Sequence, residues 1–145
     1  MKRIFILMFL SLFLFSCKQK IVPADITKIN GYWEIERVDL PDADHKEYRM
    51  NETYDYFEIK NNVGFRKKVM PQLNGTFLVN DAFENVKVLF KDDKVFLEFK
   101  TEFSTMKEEL IEISAEKMVL KNKQDVEYQY KKTEAIDFTK DYEKK

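Results

Sequence analysis

What most constrains this chain is a rhythm. From Trp33 to about residue 132, short runs with apolar residues at every second position alternate with turn residues. A two-residue period belongs to an extended strand with one buried face. Trp33 and Ile35 point one way, Glu34 and Glu36 the other. Thr53 to Lys60 sets Phe57 and Ile59 against Tyr54 and Tyr56. Phe65, Lys67 and Val69 alternate with Arg66 and Lys68, and Phe65 is expected inside. After Asn74-Gly75, Phe77 and Val79 are expected inward, then Val86, Val88 and Phe90 within Glu84 to Lys91. Asp92-Asp93 turns the chain into Val95, Leu97 and Phe99. Ile111 and Ile113 fall within Thr105 to Ser114, Met118 and Leu120 follow, and Val126, Tyr128 and Tyr130 alternate with Glu127, Gln129 and Lys131. About nine strands at intervals of roughly 8–12 residues predict an all-β sandwich or barrel. A meander buried on one face must close or cover its edges, and closure removes them.

The breaks agree with that rhythm. Leu40 to His45 reads as a loop, because Pro41 cannot donate to a ladder. Asn61-Asn62-Val63-Gly64 suits a hairpin turn. Gly31 lets the backbone approach closely where a side chain would clash, and Trp33 then drops into the interior as the first strand begins. Ala24 to Thr27 suits one helical turn that sets Ile26 and Ile29 against the barrel end. Residues 133–145 read as a polar tail, with Phe138 and Tyr142 placed to dock a last turn.

The front of the chain is an address. Met1-Lys2-Arg3 is a short positive start, and Ile4 to Ser16 is an apolar run too short to span a bilayer as a helix, which needs about 20 residues. Leu14-Phe15-Ser16-Cys17 resembles the lipobox of bacterial lipoproteins. The resemblance implies cleavage before Cys17 and its lipidation. That divides the chain into a signal peptide (1–16), a lipidated N-terminus and tether (17–28), a β-barrel (29–132) and a tail (133–145). Cys17 is the one cysteine, so its acylation would leave no thiol for disulfides or catalysis. Several acyl chains anchor a protein in effect permanently. Lys18-Gln19-Lys20 carries neither an aspartate next to the cysteine nor an acidic cluster, so the outer membrane, periplasmic side, is the expected location.

Loss of the signal removes Lys2 and Arg3 and leaves 23 basic against 26 acidic residues. Such a balance argues against nucleic acid as a partner and against adhesion to anionic lipid by charge. Seventeen of the 21 aromatic residues remain, with only three glycines and three prolines in the chain, which argues for a folded core.

Gly31-Tyr32-Trp33 resembles the Gly-x-Trp signature of lipocalins, and Ile113 to Leu120 followed by Tyr128 to Lys132 resembles the closing hairpin of small bacterial lipocalin-like lipoproteins. The resemblance spans roughly residues 26 to 132. It implies an antiparallel up-and-down barrel of about 8–9 strands that binds a small apolar molecule. It also implies a basic side chain on the last strand lying across the tryptophan. Lys132 is the nearest match, where lipocalins carry arginine.

Trp33, Phe57, Phe65, Phe77, Phe90, Phe99, Tyr128 and Tyr130 are the candidate ligand-binding residues, with Gly31, Trp33 and Lys132 as the barrel-end signature. An eight-stranded barrel is either filled by its side chains or holds one small ligand, and the sequence leaves both open. His45 is the one histidine and has Lys46 beside it, so a solvated loop is expected rather than a metal site. Arg66-Lys67-Lys68 reads as an ordinary solvated edge. Alternation puts Glu108 and Glu109 on opposite faces, which rules them out as an acid/base pair. No nucleophile elbow or phosphate loop occurs, so neither catalysis nor a cofactor is expected. Two functions follow: a membrane-tethered carrier of a small hydrophobic molecule, or a protein-binding envelope module of the inhibitor or immunity type. Tyr54, Tyr56, Leu78, Leu89, Phe96 and Leu110, taken to face outward, would favour the second if they formed one patch.

Overall fold

A computed structural model describes residues 20–42, 44–49 and 51–134. A 3-10 helix, Pro23–Ile29, leads into ten strands: β1 (Gly31–Asp39), β2 (His45–Glu47), β3 (Tyr54–Lys60), β4 (Val63–Pro71) and β5 (Phe77–Val79), then β6 (Glu84–Lys91), β7 (Lys94–Lys100), β8 (Thr105–Ile113), β9 (Lys117–Lys121) and β10 (Glu127–Thr133). All pairings are antiparallel. The order β10-β9-β8-β7-β6-β4-β3-β1 is closed by β1 on β10, from Tyr32–Thr133 to Asp39–Glu127. The result is an eight-stranded up-and-down barrel with β2 and β5 added. β2 continues the edge of β1 where β3 stops, and β5 does the same for β4 beyond β6. His45 therefore lies in a short exposed strand, where a loop was expected.

Turns alternate between the two ends. One end gathers the start of β1, the turns β3–β4, β6–β7 and β8–β9, and the end of β10. The 3-10 helix closes this end with Ile26 and Ile29, both buried in the core. Asp25 starts the helix by accepting from the Val22 backbone N–H (3.0 Å), and Pro23 sits where a missing N–H costs nothing. Asn30 stitches it to β3, donating to Ile59 O and accepting from Ile59 N. The opposite end carries the longer connections, residues 40–53, 72–83, 101–104 and 122–126.

Two bulges reset the alternation. The register of β1 on β10 shifts between Ile35 and Arg37, and that of β8 on β9 between Leu110 and Glu112. An extra residue moves everything after it to the other face. Leu110 and Ile113, three apart, consequently both enter the core, which corrects the outward reading of Leu110. Leu89 and Phe96 stay opposite each other on the outer face of β6–β7, away from Tyr54 and Tyr56, so the six residues do not form one patch.

The β3–β4 hairpin carries a larger correction. Asn61 and Asn62 have φ of 53° and 65°, the left-handed values of a two-residue hairpin turn, and the register runs Lys60–Val63, Ile59–Gly64, Glu58–Phe65, Phe57–Arg66. Directly opposed residues share a face. With Phe57 and Ile59 inside, Arg66 and Lys68 must point inward and Phe65 outward, the reverse of the expected alternation.

Candidate functional site

The barrel is a cup with a plugged base. Trp33 has no exposed surface, and its indole N–H donates to Ile29 O (2.7 Å), fastening the 3-10 helix over the base. Lys132 reaches across from β10, its Nζ 4.3 Å from the centre of the indole ring. It donates to Lys28 O (2.9 Å) and Asn30 O, and desolvation pulls its pKa below the ordinary lysine value. Gly31 permits this approach: it adopts φ +115°, and a Cβ there would lie 3.1 Å from Lys132 Cε. Above the base, Phe57 and Phe99 meet edge to face (6.3 Å) among Leu97, Met118 and Leu120, all sealed from solvent. This half of the barrel is packed solid.

The half toward the mouth is charged. Arg66 is buried, with its guanidinium 4.0 Å from the centre of the Phe99 ring. Its Nε and Nη2 both lie 2.5 Å from Glu84 Oε2. Asp55, 2 % exposed, faces the Lys68 ammonium at 2.6 Å, an ionic contact out of line for a hydrogen bond. Glu108 of β8 completes the set. Burial opposes the charge on Arg66, but Asp55, Tyr130 and Glu84 outweigh it and hold the guanidinium protonated. Burial raises the Glu108 carboxyl above the usual range, with Asp55 and Glu84 adding to the rise and Arg66 and Lys68 opposing it. The Tyr130 hydroxyl, desolvated and near Asp55, is pushed well above its ordinary value.

Among the described residues, exposed inward positions include Lys68, Met70 and Met106 toward the mouth and Phe90 at the base. Lys68 is 55 % exposed and Met106 46 %, although both belong to the inward set of their strands, so solvent enters at the end opposite the helix. Phe90 is also on the inward set, but it lies one pair before the β6–β7 turn at the base rim and is 42 % exposed. A cleft of about 610 Å³ between the 3-10 helix and the Asn61-Asn62 turn lies outside the base and does not reach the charged interior.

Of the eight candidate ligand-binding residues, the structure brings Trp33, Phe57, Phe99 and Tyr130 together in the sealed core, with Tyr128 packed half-buried against them. The Tyr128 hydroxyl receives a long hydrogen bond from Asn122 Nδ2 (3.4 Å). Phe65 and Phe77 are not inside. They belong to an aromatic ladder on the outer wall, where Phe77 stacks on Tyr32 (4.2 Å), Tyr32 meets Tyr56 (4.7 Å), and Phe65 bridges Tyr56 and Phe83. Arg66 likewise leaves the solvated edge assigned to it. Cys17 lies outside the described residues, as do Phe138 and Tyr142. Asp55, Arg66, Lys68, Glu84 and Glu108 were missed as a group, because each is an unremarkable charge until the register sets them on one face.

Residues 29–120 match the lipocalin-like domain family. The chain belongs to it. Two solved structures are similar to this lipocalin-like chain. One is a lipocalin-like protein from Bacteroides uniformis ATCC 8492, 8 % identical, covering 73 % of this chain and 99 % of its own, with a TM-score of 0.48. The other is an uncharacterized protein from Bacteroides eggerthii DSM 20697, 12 % identical, covering 72 % and 98 %, with a TM-score of 0.46. No curated protein matches the chain.

Proposed function

We propose that this lipocalin-like protein binds a small molecule with an apolar body through the mouth of its barrel, while tethered to a membrane by lipid on Cys17. The observation that carries the reading is the asymmetry of the cup. One end is plugged by Trp33, Ile29 and Lys132, and at the other end inward-facing Lys68 and Met106 meet solvent. A binding fold of this kind supports a carrier rather than an enzyme.

The tether supports an orientation. Lys20 pairs with Asp93 at the β6–β7 turn (2.8 Å), and Ile21 packs on the core, so the chain enters at the plugged end. Two residues, Lys18 and Gln19, separate Cys17 from Lys20, a reach of about 10 Å over three Cα steps. An acylated Cys17 would hold the base at the bilayer and aim the mouth away from it, toward the periplasm if the anchor is in the outer membrane. The ligand would then arrive from the aqueous side. Replacing Cys17 with serine is expected to move the protein from the membrane fraction to the soluble one; an unchanged distribution would end the lipoprotein reading.

Native mass spectrometry of residues 18–145, incubated with a lipid extract of the host, tests binding directly. A discrete added mass that is lost on heating supports the carrier. An unchanged apo mass across many lipids would overturn it and favour the protein-binding module. One feature speaks for that rival: the ladder of Tyr32, Tyr56, Phe65, Phe77 and Phe83 on the outer wall, bordered by exposed Val79.

A further inference from the structure

The charged half of the interior carries an uneven count. Two cations and three carboxylates face one another: Arg66 and Lys68 from β4, Asp55 from β3, Glu84 from β6 and Glu108 from β8, with the Tyr130 hydroxyl of β10 beside them. Both cations are engaged, Arg66 by Glu84 through two nitrogens and Lys68 by Asp55. Glu108 is left over. Its Oε2 is buried and accepts no hydrogen bond from the described residues, and Asp55 Oδ1 is in the same condition apart from its ionic contact with Lys68. A buried polar atom without a partner calls for an explanation, since leaving it so costs about 1–3 kcal/mol.

The sign of the imbalance decides what would relieve it. An anionic head such as a carboxylate would have to break Arg66 from Glu84 or Lys68 from Asp55 and would add a fourth negative charge. A cationic head finds Glu108 free to receive it. Among the described residues no three histidine, cysteine or acidic side chains are placed to hold a metal ion, which points to an organic cation. The neighbouring surface suits one: Met106, on the same face of β8 and exposed, stands between Glu108 and the mouth.

We infer that the barrel selects a ligand with an apolar body and a protonated amine, whose ammonium donates to Glu108 while the body extends over Met106 into the mouth. This rests on the binding function proposed above and narrows its ligand class. Burial raises the Glu108 carboxyl above the usual carboxylate range, and an ammonium beside it favours the ionised form. Amine affinity therefore rises with pH as Glu108 gives up its proton, and the groups that set this titration are Arg66, Lys68, Asp55, Glu84 and Tyr130.

The test compares decylamine, decanol and decanoate, equal in chain and different in head, by calorimetric titration of residues 18–145. That chain contains the complete ring of strand pairs and the helical plug. Decylamine is expected to bind at least tenfold more tightly than decanoate at pH 7.5, and its affinity is expected to fall as pH is lowered through the Glu108 titration. In Glu108→Gln, a near-isosteric change, the amine should bind no better than the alcohol. Preference for decanoate would show that Arg66 and Lys68 read the head; it would overturn the inference and leave the binding function standing. Equal binding of amine and alcohol, or an amine preference that survives in Glu108→Gln, would also overturn it. If none of the three binds, the inference falls, and the mass spectrum with host lipids decides the binding function separately.

Discussion

Arg66→Met is the sharpest test of the interior described here. Methionine keeps most of the aliphatic stem and removes the guanidinium, so the change reads charge more than volume. Removing one partner of a buried ion pair costs about 3–5 kcal/mol, because the other charge stays behind. Glu84 is 24 % exposed, and water can relieve part of that cost, which places the loss near the lower end, about 3 kcal/mol. The ring contact with Phe99 at 4.0 Å adds about 1 kcal/mol. A loss of about 3–4 kcal/mol, at a urea slope of roughly 1.5 kcal/mol per molar, lowers the unfolding midpoint by about 2–2.7 M. The double variant Arg66→Met, Glu84→Gln should recover most of it, since no charge is then stranded. Phe65→Ala is the internal control: its outward, half-buried ring should cost about 1–2 kcal/mol, short of the ~3–5 of a core phenylalanine. If Phe65→Ala proves more damaging than Arg66→Met, β4 is paired one residue away from the register given above, and the charged interior does not exist.

Three further outcomes follow. Trp33→Ala should destabilise the fold by about 3–5 kcal/mol in urea unfolding, and a loss below about 1 kcal/mol would remove the indole from the plugged base. Gly31→Ala should cost about 1–3 kcal/mol through its positive φ; because Lys132 is flexible, adding Lys132→Ala should not restore the loss, and full rescue would mean that contact rather than backbone strain decides. Glu108 has a pKa raised on folding, so its protonated form stabilises the barrel below the usual carboxylate range and that contribution is lost as pH rises through the folded value. Glu108→Gln should accordingly be more stable than the parent near pH 7.5 and indistinguishable from it near pH 4, measured by urea midpoints; a gain that does not depend on pH would contradict the burial of a titrating Glu108.

Much of the barrel was legible because alternation and turn residues agree. Glu84 to Lys91 is read from the sequence with the bounds the structure has, and the helical turn before Gly31 lands Ile26 and Ile29 on the barrel end. Two things were not legible. The bulges after Ile35 and Leu110 add a residue that no local pattern announces, so Leu110 was assigned outward. The interior charges are a different failure, because the information was there. A two-residue turn at Asn61-Asn62 with Phe57 inside places Arg66 opposite Phe57 by counting alone. The hydrophobicity of Phe65 argued the other way and prevailed. Register is the stronger constraint, since slipping it would expose Phe57 and Ile59 together, whereas turning Phe65 outward lets it share the aromatic ladder with Tyr56 and Phe83.

The two halves of the barrel divide its tasks. Residues with no exposed surface run from the plug into the barrel: Ile29, Trp33, Phe57, Leu97, Met118 and Leu120. Burying a side chain of this size contributes about 1.5–3 kcal/mol each before entropy is counted, enough to set the fold from the base upward. That surplus lets the mouth half keep Glu108 without a partner and Asp55 held by a lysine that is itself half in water. Functional sites are where a fold departs from the rules that stabilise it. Asp55 sits opposite Trp33 and is sealed, whereas Glu108 lies two residues from exposed Met106 on the same face of β8. Its position on the path from the mouth is what argues for a ligand.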